Sequence, residues 1–505
     1  MSLDKRNVLF KLNERIAKEI LAGIILCCCL GCTFLFYYKP KPSMTSLIMF
    51  CVIIINLLII YIFYCMNKMK IYKFFFVFII ITGGILVFIQ PILMTPDEGT
   101  HFIRAEITSR GELIIDPRDK NYETIQSELE INHETGKTYN NSFLKGKKID
   151  NSIIYTDHIA AGNLFFLYIP QMIGIILAKL LNLNAIWMLW LARLLNLVCY
   201  GSIVAFSIKI APKLKWVIGG IAVLPLSIQQ AASCSPDAII NGSVLLLISY
   251  FVFLHEKEEL TWKEYVVFLL LGIITTLSKV TNVLFCGLVL ILPAMSSNSK
   301  KKTVACKLIF LILFITVGMS YFLYSSSFQT PESVKFFLEE SNLNVNSSQQ
   351  ISFILNNFSS WFIMFGKTII NDFTYHITEL NCFGRMEYSY SILDIFTLLT
   401  FGKLCFQEDG VRLSHINKFL VFLMIIGNYF LISLAMYLTW TSVGANNITG
   451  VQGRYLIPMI AMGAVLLTTP KYKSEKELES EHNNSFVLML MMVGMMLVVL
   501  TKKYY

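Results

Sequence analysis

The chain has 505 residues, 55% of them hydrophobic and only 15% charged, and its mean hydropathy is +0.62. Soluble domains carry about 25% charged residues, so this composition argues against a water-soluble enzyme. The net charge of +9 is no footprint of nucleic acid, because Lys and Arg gather at the ends of apolar blocks and form no basic face.

The blocks have the length that a bilayer core of roughly 30 Å requires at 1.5 Å per helical residue. In chain order the predicted spans are Ile20–Tyr37, Ser46–Met66 and Phe74–Met94, then, after a long polar region, Ala185–Ile208, Trp216–Ala232, Ala238–Leu254, Tyr265–Ser278, Val280–Ala294 and Val304–Tyr324. Beyond a second polar region come Ser391–Phe406, Phe419–Trp440, Tyr455–Thr469 and Phe486–Leu500. The fold class is therefore an all-α integral membrane protein of about thirteen transmembrane helices, forming a single polytopic membrane domain over residues 1–505. The first span lacks a small-x-small cleavage site and reads as an anchor. Most of the cysteines lie in apolar runs without paired zinc spacing and read as packing residues.

Direction follows from the basic loops. Lys5, Arg6, Lys11, Arg15 and Lys18 put the N-terminus in the cytoplasm, and Lys68, Lys70, Lys73, the triplet Lys300–Lys302, and Lys471, Lys473 and Lys476 belong on the same side. That parity holds if Asn163–Leu181, which carries Asn163, Pro170, Gln171 and Lys179, lies along the outer surface as an interfacial helix and does not cross. Lys502 and Lys503 then face outward, against the rule. Two large non-spanning regions, 95–184 and 325–390, fall on the outer side. The first is expected to hold juxtamembrane helices.

Three polar motifs reach that same face. Thr95-Pro96-Asp97-Glu98 opens a run that continues through His101 and Arg104. Adjacent carboxylates at a helix mouth are partly desolvated; one can act as a general base toward a hydroxyl, and the pair could hold a divalent cation. The same letters also suit a plain helix start, with Asp as cap and Glu in the first turn. Ser235-Pro236-Asp237 follows similar logic. Gln452-Gly453-Arg454-Tyr455 puts a guanidinium, the group that grips phosphate with two parallel bonds, beside a glycine that lets a ligand approach the backbone. An interfacial Arg/Tyr anchor would look alike. Lys279 sits between two short apolar runs, at the tip of a shallow hairpin, where it would suit a phosphate or simply snorkel. Arg193, inside a span, needs a buried partner, functional or structural. The Met-rich last span, Met489 to Met496, reads as packing plasticity. No Walker loop, dinucleotide fingerprint, zinc-protease motif or nucleophile elbow is present.

In order, P-D-E-x-x-H-F-x-R-A, S-P-D-A, S-K and Q-G-R-Y-x-x-P span roughly Met94 to Pro458. Together they resemble a family of uncharacterised bacterial polytopic membrane proteins with a P-D-E-x-x-H motif, itself similar to the GT-C glycosyltransferases that use polyprenyl-phosphate-linked sugars. The stretch Cys382–Glu387 departs from that pattern, where a more apolar sequence is expected. The resemblance implies a GT-C-like layout in the bacterial plasma membrane, with the active site on the outer face. It further implies transfer of a sugar from a polyprenyl-phosphate donor to a cell-envelope glycan or lipid-linked acceptor. Asp97 would be the base and Glu98 its partner or a metal ligand. Arg454, Lys279, His101, Arg104 and Arg193 would offer charge to the phosphate, Gln452 and Tyr455 would line the site, and Asp237 would orient the acceptor. Alternatives are an oligosaccharide polymerase or ligase, and a lipid-linked-sugar flippase. Flippases and other transporters usually show internal repeats and mid-membrane polar clusters, which this chain lacks.

Overall fold

The computed structural model describes residues 20–35, 43–65, 69–119, 121–157, 160–296, 300–381, 391–407, 409–470 and 475–505. Lys5, Arg6, Lys11, Arg15, Lys18, Lys68, Lys471, Lys473 and the stretch Cys382–Glu387 lie outside the described residues. Helix dominates. Three apolar helices open the chain, α1 (Ile20–Leu35), α2 (Met44–Cys65) and α3 (Ile71–Ile89). The first polar region then folds as α4 (Glu98–Ser109), β1 (Tyr122–Ile125), α5 (Gln126–His133), β2 (Ile153–Thr156) and α6 (Ile169–Leu180). A membrane-like block follows: α7 (Ile186–Ile210), α8 (Lys215–Ala222), α9 (Pro225–Ala231), α10 (Asp237–His255), β3 (Glu259–Leu260), α11 (Trp262–Ser278), β4 (Ala294–Met295) and α12 (Lys300–Ser326). The second polar region carries α13 (Glu332–Glu340), α14 (Ser347–Asn356) and α15 (Phe358–Leu380). The chain ends with α16 (Ser391–Gln407), α17 (His415–Thr439), α18 (Ile457–Leu467) and α19 (Glu475–Tyr504). The strands form only two small ladders, β1 antiparallel to β2 and β3 parallel to β4.

Among the described residues seven helices are long and apolar enough to cross a bilayer: α2, α3, α7, α10, α12, α17 and the Ser485–Tyr504 part of α19. This count is lower than thirteen for local reasons. The expected span Trp216–Ala232 is split into α8 and α9 by Pro225, which lacks an N–H and would clash with a carbonyl one turn earlier. The apolar stretch after Lys279 is a 3₁₀-helix over Val280–Ile291, twelve residues long where such runs seldom exceed four. At about 2.0 Å per residue it reaches farther than an α-helix of equal length would. The helix α11 has 17 residues and α18 has 11, and α16 is described over 17 residues.

Within residues 163–181 the helix α6 has 12 residues, about 18 Å of helix, short of a hydrocarbon core. It doubles back along the first half of α7. A Cβ on Gly174 would lie 2.4 Å from the Leu191 carbonyl carbon, so only glycine permits the two backbones to approach this closely. On its other face Ile169, Ile173, Leu177 and Leu180 are exposed, a stripe of the kind that contacts lipid. The main apolar core joins α3, α7 to α11 and α17 to α19, and the Met-rich stretch of α19 is buried inside it. A smaller core lies under α4 to α7.

Candidate functional site

The turn between α3 and α4 decides where the first motif points. Pro91 and Pro96 interrupt helix, and Leu93 and Asp97 take left-handed backbone, at φ 48° and 61°. Asp97 precedes α4, but its side chain caps no N–H of that helix. It pairs with Arg454 Nη2, while Arg454 Nη1 donates to the Pro96 carbonyl at 3.2 Å. Arg454 is 5% exposed whereas the Asp97 side chain is 51% exposed, so the carboxylate is open to an incoming molecule and the guanidinium is fixed behind it. Asp237, in the first turn of α10, lies 3.4 Å from Arg454 Nη1. Residues more than 350 positions apart in sequence thus converge at one end of the helix bundle.

Glu98 turns the other way. Its carboxylate is fully buried and accepts from Arg193 Nε at 2.7 Å and Nη2 at 2.8 Å, a two-pronged pair. It also accepts from the Cys234 N–H at 3.1 Å. The remaining Arg193 donors go to the carbonyls of Val87, Gln90 and Pro91. Every donor of Arg193 is therefore spent on protein oxygens. The pair ties α7 to the turn that presents Asp97 and to the Ser235-Pro236-Asp237 loop, and Asn196 clamps that loop too, donating to the Ser233 and Ser235 carbonyls.

Arg104 is likewise buried and committed, to Asn163 O, Thr108 Oγ1, Glu112 O and Leu113 O. It braces the loop after α4. His101 shares a hydrogen bond of 2.9 Å with Tyr168 Oη, which also accepts from Asn163 Nδ2 at 2.9 Å. Its enclosure and the neighbouring Arg454 push His101 down to about 4, against the opposing pull of Asp97 and Asp237. The ring is neutral at pH 7 and serves as a polar contact without adding positive charge.

Among the described residues of the motifs, the cations left for a ligand are Arg454 and Lys279. Lys279 occupies the break between α11 and the 3₁₀-helix, in extended backbone, and its ammonium lies 3.6 Å from the centre of the Tyr455 ring. That face-on contact attracts the charge. Tyr455 Oη is 3.4 Å from Arg454 Nη2, so the ring spaces the two cations apart. Gln452 Oε1 is buried without a hydrogen-bond donor. Among the described residues no group of three or more His, Cys, Asp or Glu side chains is placed to hold a metal ion, and Asp97 and Glu98 diverge.

The model of a family described as a predicted membrane protein, DUF2142, matches residues 75–462. The chain belongs to this family. No curated protein and no solved structure matches it. The DUF2142 match begins in α3 and ends in α18, and so contains every residue of the site, while α1, α2 and α19 lie outside it.

Within the DUF2142 region the structure adds residues that the motifs did not single out. Glu379, on the last turn of α15, accepts the Gly453 N–H at 2.6 Å and pairs with His376 Nδ1 at 3.0 Å. A Cβ on Gly453 would lie 2.6 Å from the Glu379 Cβ and 3.2 Å from the His376 carbonyl oxygen, so the glycine of Gln452-Gly453-Arg454 is needed to seat α15. The sequence offered one cue, a histidine and a glutamate at i and i+3 on one helix face, too common to single out. Tyr168 and Asn163 carried no cue beyond their polarity in an apolar run.

Proposed function

We propose that this DUF2142 protein is a membrane glycosyltransferase that moves a sugar from a polyprenyl-phosphate donor to a cell-envelope glycan or lipid-linked acceptor. One observation carries the reading: a half-exposed carboxylate, Asp97, stands against a buried guanidinium, Arg454, with Lys279 beside it, at one end of a bundle of membrane-length helices. A lipid-linked phosphosugar needs that arrangement. Its tail stays among the lipids, its phosphate meets fixed cations, and its sugar reaches a base at the membrane edge. The basic-loop rule assigns that edge to the outer face of a bacterial plasma membrane, with the N-terminus in the cytoplasm.

In the proposed reaction the Asp97 carboxylate takes the proton of an acceptor hydroxyl, whose oxygen attacks the anomeric carbon. The bond from that carbon to the phosphate oxygen breaks, and the lipid phosphate leaves with the electron pair, held by Arg454 and Lys279. Arg454 now contacts Asp97, so a donor phosphate that draws the guanidinium toward itself also frees a lone pair on the base. Asp237 keeps Arg454 in place meanwhile. The geometry gives Glu98, Arg193 and Arg104 bracing parts in this scheme, and a divalent cation is not required by it.

The test is transfer of radiolabelled sugar from polyprenyl-phosphate donors by the purified protein in lipid, wild type beside Asp97→Asn. Loss of transfer by a folded variant supports the scheme. Equal transfer by both proteins removes Asp97 from it. Movement of lipid-linked sugar across liposomes without turnover would replace the transferase with a flippase.

A further inference from the structure

A closed circuit of contacts runs through the site. From Gly453 it passes to Glu379 and His376 on α15, and from the His376 ring to Tyr429 on α17, centroids 6.4 Å apart. The next residue, Asn428, donates from Nδ2 to the Thr281 carbonyl at 2.7 Å. Thr281 follows the break at Lys279, which returns through Tyr455 to Arg454 and Gly453. Buried polar groups cost free energy when unpaired, so in native proteins nearly all find a partner. On this circuit several have none among the described residues: His376 Nε2, Asn428 Oδ1, Thr281 Oγ1, Asn282 Nδ2, Gln452 Oε1 and Arg454 Nε.

Their chemistry divides by position. Beside the break and the Arg454 segment stand the donors Arg454, Lys279 and Asn282 Nδ2, with one acceptor, Gln452 Oε1, among them. On α15 and α17 stand acceptors, and their polarity is fixed by what they already bond. A carboxylate oxygen can only accept from His376 Nδ1, so a proton is on that nitrogen, and the neutral ring presents the Nε2 lone pair. A carbonyl can only accept from Asn428, so its amide nitrogen is used and Oδ1 faces away unpaired. His376 is 4% exposed and Asn428 0%. A ligand that completes both sides must offer an anion at one end and O–H groups at the other.

We propose that His376 Nε2 and Asn428 Oδ1 form the hydroxyl-accepting half of the site and receive the sugar of a lipid-linked phosphosugar. Glu379 is a positioning residue that sets the tautomer of His376 and docks it against the Arg454 segment. The inference rests on the glycosyltransferase reading and deepens it: the donor's sugar carries free hydroxyls on the side that faces α15 and α17.

The test is native mass spectrometry of the full chain in lipid nanodiscs with two kinds of probe, farnesyl phosphate without sugar and farnesyl phosphate bearing each of a panel of hexoses and pentoses. Wild type should retain at least one sugar-bearing probe about tenfold more tightly than the bare phosphate. His376→Phe, which keeps a ring against Tyr429 and removes both nitrogens, should erase most of that gain and leave the bare phosphate within about twofold. Asn428→Ala is the second variant should His376→Phe not stay monodisperse, and Glu379→Gln, which also loosens the Gly453 contact, should lower the gain by more than it weakens the bare phosphate. Equal loss of both probes in His376→Phe would overturn the proposal. So would a wild type that binds the bare phosphate and prefers no sugar, an outcome that leaves the phosphate reading standing. Binding of neither probe would remove the glycosyltransferase reading itself, and this inference with it.

Discussion

Replacing Glu98 by Gln separates bracing from chemistry. The Glu98 carboxylate and Arg193 guanidinium are both fully buried and joined by two bonds of 2.7 and 2.8 Å. Glu98→Gln leaves an uncompensated guanidinium in the core, and one amide hydrogen must face an Arg193 donor. Breaking one partner of such a pair costs about 3–5 kcal/mol, a large fraction of the stability of an ordinary domain. Adding Arg193→Met removes the stranded charge but leaves the carbonyls of Val87, Gln90 and Pro91 without their donor, at about 1–3 kcal/mol each. The double variant should therefore regain only part of the loss. The assay is reversible unfolding in mixed micelles of the two single variants and the double, read as a double-mutant cycle. Wild-type stability in Glu98→Gln, combined with abolished sugar transfer, would refute the bracing role and return Glu98 to the reaction.

Other outcomes follow from the same geometry. Arg454→Lys keeps the charge but cannot hold Asp97, Asp237 and the Pro96 carbonyl at once, so transfer should fall by about one to two orders of magnitude while Asp97→Glu retains some; an unchanged rate in steady-state transfer would contradict it. Gly174→Leu should destabilise the protein by about 1–3 kcal/mol or more by forcing α6 from α7, measured by thermal melting. Glu128 is pushed up to about 8, chiefly by burial and then by Glu106. An acid raised this far stabilises the fold below its unfolded value near 4.3. That stability declines as pH rises toward about 8 and is flat above it. Hydrogen exchange in β1 and α5 should quicken over that window, and Glu128→Gln should flatten the profile.

Much of the bundle was legible because hydropathy over 20 residues is a strong signal and Lys/Arg placement a cumulative one. Length alone did not reveal where a block breaks. Trp216–Ala232 reads as one span until Pro225 is weighed as a helix breaker, and the 3₁₀ winding after Lys279 has no signature in its letters. At the site the four motifs do meet, because each ends or begins an apolar helix at one end of the bundle. Which charge faces which was not legible. Asp97 and Glu98 are adjacent, yet the left-handed turn at Asp97 sends one carboxylate to Arg454 and the other to Arg193. The His376–Glu379 pair stayed hidden because its meaning depends on Gly453, 74 residues from Glu379.

The contact between Asp97 and Arg454 closes a separation of 357 residues along the chain. At ribosomal speeds of about 5–20 residues per second, the guanidinium is made roughly 20–70 seconds after the carboxylate that it holds. A nascent chain that already exposes Asp97 lacks its cation, the Lys279 contact with Tyr455 and the Glu379 dock, and so has no assembled site. Biosynthesis itself thus delays completion of the site until almost the whole bundle is made, and a chain that stops before Arg454 cannot form the pair.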